Sequence, residues 1–494
     1  MKLLSAKQFQ EWDAYTIRHE PISSIEIMER AALCCTAYIV QHFSIEKSIK
    51  IFCAKGNNAG DGLAIARQLM SRGYKVDVYI LEQGKMGSPD FQTNLHRLHP
   101  FSATIHFLQN QESFPFIKAS DLVIDALFGT GLHSILEGLA KAIVEFINLS
   151  RAEIISIDIP SGLFVDRSSK ANAIIKANTT LSFQLTKLCF LAAENAAYFG
   201  KLILLDIQLQ KDFLKEVKSD LALLEKAEVK LLLKKRNEFA HKGKFGHALL
   251  IAGNIGKMGA AILSARAAMR SGLGMLTVSI PGYAESQMNN ALPEAMILVR
   301  QKEPIDLEKF SAIGIGPGLG TDEVVEKLLL SVIDNFKKPI LVDADAINIL
   351  STNPDLLSKL PIDSILSPHP KEFDRLFGVC ENEFDRWEKA IRLSEKHQLI
   401  ILVKGHHTLI ASKGKAWFNS TGNVGLAKAG SGDTLSGMIT AFLAQGYAST
   451  VAAILAVYLH GSAADLALAG QSVESLLASD TIESIGDAFK DLLK

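Results

Sequence analysis

Residues 425–433 read GLAKAGSGD, and the helical pattern Thr434 to Ala444 follows them directly. Small residues before a helix let backbone N–H groups approach a phosphate closely, and the helix dipole adds about 0.3–1 kcal/mol of favourable interaction. The segment therefore predicts an anion-binding loop with the carboxylate of Asp433 at its edge. That carboxylate is either a helix N-cap or a base for an incoming hydroxyl during phosphoryl transfer.

Three further polar segments follow predicted strands in the same half of the chain: Gly314 to Gly320, Ser367 to Glu372 and Lys404 to Thr408. In open α/β sheets, ligands bind beyond the carboxyl ends of the strands, so we expect these segments to meet near Asp433. Within the second segment His369 has two interpretations, a structural histidine or a ligand-binding one.

The N-terminal half has polar segments of the same kind. Gly56 to Gly62, Asp125 to Leu132 and Asp158 to Leu163 each follow a predicted strand, and the first precedes the predicted helix Leu63 to Arg72. Their carboxylate, amide and hydroxyl oxygens, without a His or Cys partner, suit a hard cation. The sequence thus predicts a second ligand site beside a cation.

Short apolar, β-branched runs alternate with longer helical patterns along the whole chain, which is typical of βαβ units and mostly parallel sheets. The predicted strands are Ile49 to Ala54, Tyr74 to Leu81, Leu122 to Ala126, Glu153 to Ile159, Leu202 to Ile207, Ala248 to Ala252, Met275 to Ile280, Ala312 to Ile315, Ile340 to Val342, Ser364 to Leu366 and Leu399 to Val403. Because 494 residues exceed the roughly 250–300 that one core organises, we expect two domains. The charged, leucine-rich segment Lys211 to Arg236 has helical spacing and no strand pattern, and is the predicted linker.

The composition excludes several classes of function. Lys and Arg total 52 against 53 Asp and Glu, so the net charge of -1 offers no long-range attraction for nucleic acid or an anionic membrane. The five cysteines form no C-x-x-C pair, which favours reduced thiols in a cytoplasmic protein. The apolar run Val451 to Leu459 stops at His460, too short to span a bilayer.

The C-terminal motifs together resemble the ribokinase-like superfamily and, within it, the NAD(P)H-hydrate dehydratase family over residues 236 to 494. The resemblance is carried by an ordered set of segments: His241-Lys242-Gly243-x-x-Gly246, Ala252-Gly253-Asn254, Gly259 to Leu263, Gly316-Pro317-Gly318, Ser367 to Pro370, Lys404-Gly405-x-x-Thr408 and Gly425 to Asp433. It implies removal of water from (6S)-NAD(P)H hydrate at the expense of ADP, giving NAD(P)H, AMP and phosphate, with Mg²⁺ as a cofactor.

The same resemblance implies roles for individual residues. Ala260, Gly318, His369 and Asp433 would bind the hydrate, and Asp433 would act on its hydroxyl. The nucleotide would be bound by the following residues: Lys404, Gly405, His406, His407, Thr408 and Gly432. Two positions depart from the family, Ala429 and Lys371, each in place of a glycine. An alanine is tolerated there if its backbone φ is negative.

The N-terminal motifs, with Ile27 to Ala32 upstream, look like the NAD(P)H-hydrate epimerase family over residues 1 to 212. This resemblance implies a potassium ion bound by Asn58, Asp125 and Ser161, and acid/base chemistry or binding by Asp158. The implied hydrate-binding residues are Asn57, Asn58, Ala59, Gly60, Asp61, Gly129, Thr130, Gly131, Leu132, His133, Ser134, Ile135 and Asp158. Ala59 replaces a usual glycine, and Asp166-Arg167 replaces the usual Asp-Thr-Gly.

The expected fold is therefore α/β, with an N-terminal Rossmann-like three-layer domain (1–212), a linker (213–235) and a C-terminal ribokinase-like α/β domain (236–494). The expected enzyme is a bifunctional repair enzyme that epimerises and dehydrates the hydrates of NADH and NADPH. It would be a cytoplasmic homo-oligomer without nucleic-acid or membrane partners. The alternative is a vitamin or sugar kinase with a non-catalytic N-terminal ligand-binding module, which accumulation of a phosphorylated product would reveal.

Overall fold

The computed structural model describes residues 1–82, 84–101, 104–300 and 305–494. They divide into two compact units, one of Lys2–Ser219 with Asn382–Phe384, the other of Asp220–Glu381 and Asp385–Lys494 with Met1. Each unit is built around its own largely parallel sheet flanked by helices, so the predicted α/β class is confirmed.

The first unit contains a seven-stranded parallel sheet in the order β3-β2-β1-β4-β5-β6-β7. Its strands are β1 (Ser48–Cys53), β2 (Lys75–Leu81), β3 (Thr104–Leu108), β4 (Leu122–Ala126), β5 (Glu153–Ile157), β6 (Thr179–Phe183) and β7 (Lys201–Leu205). Its helices are α1 (Ala6–His19), α2 (Ser24–His42), α3 (Asn57–Met70), α4 (Pro89–Leu98), α5 (Gly138–Leu149), α6 (Ala196–Phe199) and α7 (Phe213–Glu216). The order reverses between β1 and β4, which places the loops after these strands at the switch point where ligands bind in such sheets.

Helix α3 begins at Asn57, six residues before the predicted start, so the segment Gly56 to Gly62 is the first turns of a helix rather than a loop. Close packing of the helix against the sheet explains why residue 62 is a glycine. A β-carbon on Gly62 would lie 2.6 Å from Ala126 Cβ and 2.8 Å from Cys53 Sγ. The helix therefore approaches β1 and β4 more closely than any side chain would allow.

Two strands of the first sheet, β3 and β6, were not predicted. Strand β3 lies at the sheet edge and is mostly exposed, so its sequence lacks a buried apolar run. Strand β6 contains two threonines and a serine, and its hydroxyl groups masked the apolar pattern although its centre is buried.

The second unit contains a ten-stranded sheet in the order β11-β10-β9-β12-β13-β14-β15-β16-β17-β8. Its strands are β8 (Leu221–Leu223), β9 (His247–Ile251), β10 (Met275–Ile280), β11 (Met296–Val299), β12 (Ala312–Ile315), β13 (Ile340–Val342), β14 (Ile365–Leu366), β15 (Ile400–Val403), β16 (Leu409–Ser412) and β17 (Lys415–Phe418). Its helices are α8 (Lys226–Leu232), α9 (Met258–Arg270), α10 (Glu285–Ala291), α11 (Glu323–Asn335), α12 (Ala344–Thr352), α13 (Pro370–Phe377), α14 (Glu383–His397), α15 (Ser431–Ala444), α16 (Ser449–Ala467) and α17 (Ala478–Leu493).

Strands β9 to β15 pair in parallel, so their carboxyl ends meet at one edge of the sheet, whereas β15, β16 and β17 form antiparallel pairs. Helices α9 and α15 pack on each other beside β9 and β12, with Ala261, Ala265 and Met438 in the core. This packing holds the amino-terminal ends of both helices at the edge where the strands end.

The expectation of a strand-free segment over Lys211 to Arg236 is wrong at one place. Leu221–Leu223 forms β8, which pairs in parallel with β17 at the edge of the second sheet. Three residues are too few to show a periodic pattern, and an edge strand needs no continuous apolar run because one side is open.

Among the described residues one helix, α16, is long and apolar enough to cross a membrane. The predicted apolar run ended at His460, but the helix continues through small residues to Ala467. Of its apolar window, 72% is buried inside the protein, as is typical of a core helix, and its side chains belong to the core of the second unit.

Candidate active sites

Asp433 is the third residue of α15, and the N-cap of that helix is Gly430, whose φ of +92° suits a glycine. The interpretation of Asp433 as the cap is therefore excluded. The carboxylate has no hydrogen-bond partner among the described residues, while its backbone carbonyl accepts a bond of 2.8 Å from Ser264 Oγ on α9. The backbone is thus fixed and the carboxylate is available to a ligand.

Lys404 follows strand β15, and its ammonium group lies under the first turn of α15. A β-carbon on Gly432 would stand 3.5 Å from Lys404 Nζ. The ammonium group donates to Asp343 Oδ1 at 2.6 Å, and Ser436 Oγ donates to the other oxygen of the same, fully buried carboxylate. A positive charge is therefore held at the amino-terminal end of a helix, which suits an anion.

The pKa of Asp433 is raised to about 6, first by burial and then by the negative charge of Asp343, while Lys404 lowers it. A carboxyl group with this pKa is mostly ionised at pH 7, yet accepts a proton more readily than an ordinary aspartate. It is thus suited to act as a general base.

Ala260 lies in the first turn of α9, next to the loop that follows β12. A β-carbon on Gly318, whose φ is +60°, would lie 2.9 Å from Ala260 Cβ. Ser264, one turn further along α9, bonds to the backbone of Asp433. The structure therefore brings Ala260, Gly318 and Asp433 to one region, as the family resemblance implies.

His369 is the N-cap of α13, and its Nδ1 accepts hydrogen bonds from Lys371 and Glu372 at 3.1 and 3.2 Å. This supports the structural interpretation of His369. An accepting Nδ1 places the proton of a neutral ring on Nε2, and the side chain is 48% exposed. The same histidine can therefore cap the helix and still present Nε2, which lies 3.5 Å from Glu372 Oε1, to a ligand.

The turn after Lys404 is closed by Thr408, whose hydroxyl donates to Gly405 O at 3.1 Å and accepts from Gly405 N at 3.3 Å. His407 bonds through Nδ1 to Asn419 O at 2.8 Å, and burial lowers its pKa. His406 packs edge-on against His407. The side chains of Thr408 and His407 thus shape this loop.

Neither departure from the family pattern in this unit strains the backbone. Ala429 and Lys371 have no positive φ, and the neighbouring Gly430 takes the left-handed conformation instead. Alanine can therefore replace the family's glycine at residue 429, because φ is not positive there.

In the first unit, Asp125 at the end of β4 is fully buried and bound by hydroxyl and amide groups. Ser161 donates to it from Oγ at 2.5 Å and from its backbone N at 2.9 Å, and Ser156 Oγ donates at 2.7 Å. Burial raises the pKa of Asp125, and the bonds from Ser161 oppose that rise. Among the described residues no Lys, Arg or His pairs with this carboxylate.

Asn58 lies beside this group. Both polar atoms of its side chain are buried without a hydrogen-bond partner, and a β-carbon on Gly129 would lie 3.3 Å from its Oδ1. A buried amide oxygen without a donor, next to a buried carboxylate that no Lys, Arg or His of the described residues neutralises, fits a hard cation. The residues Asn58, Asp125 and Ser161 are thus chemically suited to the potassium ion that the family resemblance implies.

Asp158 directly follows β5 in the left-handed conformation, with φ of +69°. Its carboxylate forms an ion pair of 2.9 Å with Lys187 and accepts from Thr130 N at 3.4 Å. Lys187 is almost fully buried and also donates to Ser182 Oγ at 2.8 Å. A buried lysine therefore fixes this carboxylate in a strained backbone position, which is common in active sites.

Asp158 and Lys187 line a cavity of about 310 Å³, together with Asn57, Asp61 and Thr130. Asp13 of α1, which keeps contact with solvent, lines the same cavity. Burial and then the charge of Asp158 raise the pKa of Asp13 to about 7, and the same two causes raise that of Asp61 well above its ordinary value. The cavity thus combines an ion-paired carboxylate with two carboxyl groups of raised pKa, of which Asp13 binds a proton near neutral pH.

The other residues predicted to bind the hydrate do not line this cavity. Ala59 is fully buried in the core, and Gly60 lies against Met28, where a β-carbon would be 2.7 Å from the sulfur. Residues 131–135 continue the loop after β4, where the carbonyl of His133 accepts a bond of 2.5 Å from Arg167. Arg167 therefore ties this loop to the segment that departs from the family pattern.

Three residues at these sites were not predicted: Asp343, Lys187 and Asp13. Asp343 directly follows the predicted strand Ile340 to Val342, so the strand-end argument used for Asp125 would have found it. Lys187 comes four residues after β6, a strand that was not predicted. Asp13 lies on a helix with no strand-end signal, and only the folded structure brings it to the cavity.

Comparison with known proteins agrees with both resemblances. The model of the NAD(P)H-hydrate dehydratase family matches residues 248–486, and that of the YjeF-related protein N-terminus matches residues 24–189. The bifunctional NAD(P)H-hydrate repair enzyme Nnr of Moorella thermoacetica is 32% identical over 515 residues, covering 100% of this chain and 97% of the relative. The enzyme of the same description from Coxiella burnetii is 33% identical and covers 97% of each chain.

Among solved structures, the ADP/ATP-dependent NAD(P)H-hydrate dehydratase of Bacillus subtilis, co-crystallised with ATP and Mg²⁺, is 35% identical with a TM-score of 0.50. The match covers 55% of this chain and 98% of that one. A ribokinase-like superfamily protein of Enterococcus faecalis also matches, with 26% identity and a TM-score of 0.50, over 56% of this chain and 98% of that one.

Proposed function

This chain belongs to the family of bifunctional NAD(P)H-hydrate repair enzymes, and we propose that it restores hydrated nicotinamide nucleotides in two steps. Residues 1–212 interconvert the R and S epimers of NAD(P)H hydrate, residues 213–235 link the two domains, and residues 236–494 dehydrate the S epimer with ADP. The observation that carries the proposal is the position of Asp433, a base with a free carboxylate at the helix end where Lys404 supplies positive charge.

In the dehydratase reaction, hydroxide is a poor leaving group, so the hydroxyl at C6 is first phosphorylated. Asp433 accepts the hydroxyl proton as the oxygen attacks the β-phosphorus of ADP, and AMP leaves. The C6–O bond then breaks with the electron pair going to phosphate, assisted by the ring nitrogen, and loss of a proton from C5 gives NAD(P)H. Each turnover thus converts one ADP into AMP and phosphate.

The nucleotide phosphates lie at the amino-terminal end of α15 in this proposal. Lys404, Gly405, His406, His407, Thr408 and Gly432 bind the nucleotide, and Asp343 holds the Lys404 ammonium group in place. Ala260, Gly318 and His369 bind the hydrate. Mg²⁺, when bound, would neutralise phosphate charge, and it commonly binds through substrate phosphates with only one or two carboxylates.

In the epimerase reaction, opening and re-closing of the C6–N1 bond inverts C6. Asp158 accepts the proton of the C6 hydroxyl as the carbonyl forms, and Asp13 donates a proton to the ring nitrogen. Closure on the other face reverses both transfers. The ion pair with Lys187 orients the Asp158 carboxylate, while Asp13 has a pKa of about 7, which suits a group that donates a proton near neutral pH.

A potassium ion bound by Asn58, Asp125 and Ser161 would supply positive charge beside the substrate loop. The buried, unpartnered amide of Asn58 supports this part of the proposal. Asn57, Asp61, Gly129 and Thr130, with the loop that runs to Ile135, would contact the hydrate. We further propose that the protein acts in the cytoplasm as a homo-oligomer.

The stoichiometry of the nucleotide tests the proposed function. The protein is incubated with the S hydrate of NADH, ADP and Mg²⁺, while NADH, AMP and free phosphate are measured. We expect the three products to appear in equal amounts. Recovery of NADH without nucleotide cleavage, or a stable phosphorylated product, would show that the protein is not a dehydratase, and the second result would favour the kinase alternative.

A further inference from the structure

The turn between β13 and α12 places two carboxylates at the edge where the parallel strands of the second unit end. Asp343 and Asp345 stand two residues apart, and Ala344 between them has a φ of +48°, a left-handed conformation that residues with a side chain rarely adopt. The loop after β12 packs tightly against this turn, since a β-carbon on Gly316 would lie 1.8 Å from Asp343 O. Backbone strain of this kind is common at functional sites. Asp343 holds Lys404, but Asp345 has no role in the mechanism described so far.

Asp345 binds two groups from different segments of the chain. Its Oδ2 accepts a hydrogen bond of 2.8 Å from the backbone N of Gly320, in the loop after β12. The same oxygen pairs with Lys257 Nζ at 3.1 Å, and Lys257 is the last residue before α9. The Asp345 side chain is 19% exposed and that of Lys257 is 53% exposed. One partly buried carboxylate therefore joins the loop after β12 and the start of α9 to the start of α12.

The two segments that Asp345 joins also form the proposed hydrate pocket. Ala260 lies in the first turn of α9 and Gly318 in the loop after β12, and a β-carbon on Gly318 would lie 2.9 Å from Ala260 Cβ. The same β-carbon would lie 2.8 Å from the backbone O of Lys257. A displacement of Lys257 or of the loop would therefore change the shape of the pocket directly.

The contacts of Asp345 differ from an ordinary surface ion pair in two respects. Exposed pairs commonly contribute little to stability, because solvent screens them and both side chains lose freedom. Asp345 in addition accepts from a backbone amide, which fixes the carboxylate on one side. Its negative charge also acts on Asp433, whose pKa is raised by burial, by Asp343 and by Asp345, while Lys404 lowers it. The ion pair therefore lies near the proposed base.

We propose that Asp345 is a positioning residue for the hydrate: it holds Lys257 and Gly320 so that the two segments of the hydrate pocket keep a fixed position relative to the proposed base. This inference rests on the proposed dehydratase function. Asp343, two residues earlier, holds Lys404 on the nucleotide side. The two carboxylates of one turn thus serve the two substrates separately, and loss of Asp345 should raise KM for the hydrate but not for ADP.

The ion pair is tested from both of its sides. Asp345→Asn keeps an oxygen that can accept from Gly320 N but removes the charge, whereas Lys257→Met removes the ammonium group and keeps a long, unbranched side chain. Kinetics are measured at pH 8, where Asp433, with a pKa of about 6, is ionised. Loss of binding that is equal in the ground and transition states raises KM without changing kcat.

We expect each single variant to raise KM for the S hydrate of NADH about three- to tenfold, with kcat and KM for ADP within about twofold of the wild type. The double variant should show no larger effect than the stronger single variant, because the same ion pair is lost only once. Lys257→Arg, which keeps the charge, should retain most of the wild-type affinity. Equal rises in both KM values, multiplied effects in the double variant, or an unchanged KM for the hydrate would overturn the inference.

The matched control is an exposed ion pair of the same unit. Asp487 and Lys490 of α17 pair at 3.0 Å, with 64% and 77% of their side chains exposed. Asp487→Asn and Lys490→Met, alone and together, should leave all kinetic constants at the wild-type values. If they raised KM for the hydrate as much as Lys257→Met does, the effect would follow from any loss of charge, and the inference would be wrong.

Amide hydrogen exchange separates this inference from the proposed function, because it needs no turnover. In the unliganded protein, the amides of residues 316–320 should exchange at least about threefold faster in Lys257→Met than in the wild type, since Asp345 is then held less firmly. Lys490→Met should exchange as the wild type does. A protein that dehydrates no hydrate would refute the proposed function, yet faster exchange in Lys257→Met would still show that the ion pair holds the loop. Equal exchange in Lys257→Met and the wild type would overturn the inference whatever the activity.

Discussion

At the scale of single residues, the proposed dehydratase chemistry depends on three charged groups, Asp343, Lys404 and Asp433, each of which affects the others electrostatically. Asp343 is fully buried and would be costly without a partner, and Lys404 and Ser436 both bind it. Its remaining negative charge makes Asp433 a stronger base. The proposed base and the proposed phosphate-binding cation are therefore coupled through the buried carboxylate of Asp343.

Removal of the base should leave binding intact. Asp433→Asn keeps the shape of the side chain and the helix cap at Gly430, so the protein should fold and bind ADP normally. Turnover in the dehydratase reaction should fall by about 10²–10⁴, the range for a positioned general base. If turnover stays within about threefold of the wild type, Asp433 does not accept the proton.

The pH dependence follows from the raised pKa of Asp433. A base must be deprotonated, so kcat/KM for dehydration should fall as the pH drops below about 6. In Asp343→Asn the charge that raises this pKa is absent, so the acid limb should move to lower pH. KM for ADP should rise about tenfold, equivalent to about 1.4 kcal/mol, because Lys404 is no longer held in place.

The control for Asp343→Asn is Asp334→Asn, an exposed aspartate of the same unit. It should leave both the acid limb and KM for ADP at the wild-type values. An acid limb that does not move in Asp343→Asn would mean that Asp343 has no electrostatic influence on the base.

At the scale of elements, the sites are built where parallel strands end and helices begin. The sequence was sufficient to place Asp125, Asp158 and Lys404 at strand ends, because buried strands have clear apolar patterns. It was insufficient at β3, β6 and β8, where exposure, hydroxyl groups or short length removed that pattern. Lys187 was missed for this reason, and Asp13 because helix α1 meets the cavity only through tertiary packing.

The close approach of α3 to the sheet gives a prediction for stability. Gly62→Ala adds a methyl group that would lie 2.6 Å from Ala126 Cβ, so it should destabilise the first unit by about 1–3 kcal/mol, as overpacked cores do. Gly131→Ala, which meets nothing within 4 Å, is the control. Urea unfolding of the two variants checks this, and equal midpoints would contradict the packing of α3 described above.

At the scale of the whole molecule, two compact units in one chain carry the two candidate sites. The hydrate exists as two epimers, and a dehydratase specific for one leaves the other unrepaired. An epimerase fused to a dehydratase supplies the S epimer continuously. This explains why the two units occur in one chain. The intermediate can diffuse, so the two activities need not share a cavity.

The second unit should dehydrate the S epimer by itself. A chain of residues 218–494 retains strand β8, which pairs with β17. It also retains Asp220, whose carbonyl accepts a hydrogen bond of 2.8 Å from the backbone N of Ala416. It should clear the S epimer at the full rate and the R epimer only as fast as spontaneous epimerisation allows. Addition of residues 1–212 in trans should remove the slow phase. If the shorter chain cleared both epimers at the full rate, the first unit would not be an epimerase.

The most direct test of the whole account is the time course of NADH recovery from an R and S mixture by the full-length protein carrying Asp158→Asn, with ADP, Mg²⁺ and potassium present. We expect the wild type to recover all NADH in one fast phase. The variant should keep the fast phase of the S epimer and gain a slow phase of R at the spontaneous rate, since only the base of the first unit is lost. A single fast phase in the variant, identical to that of the wild type, would contradict the assignment of epimerisation to the Asp158 site.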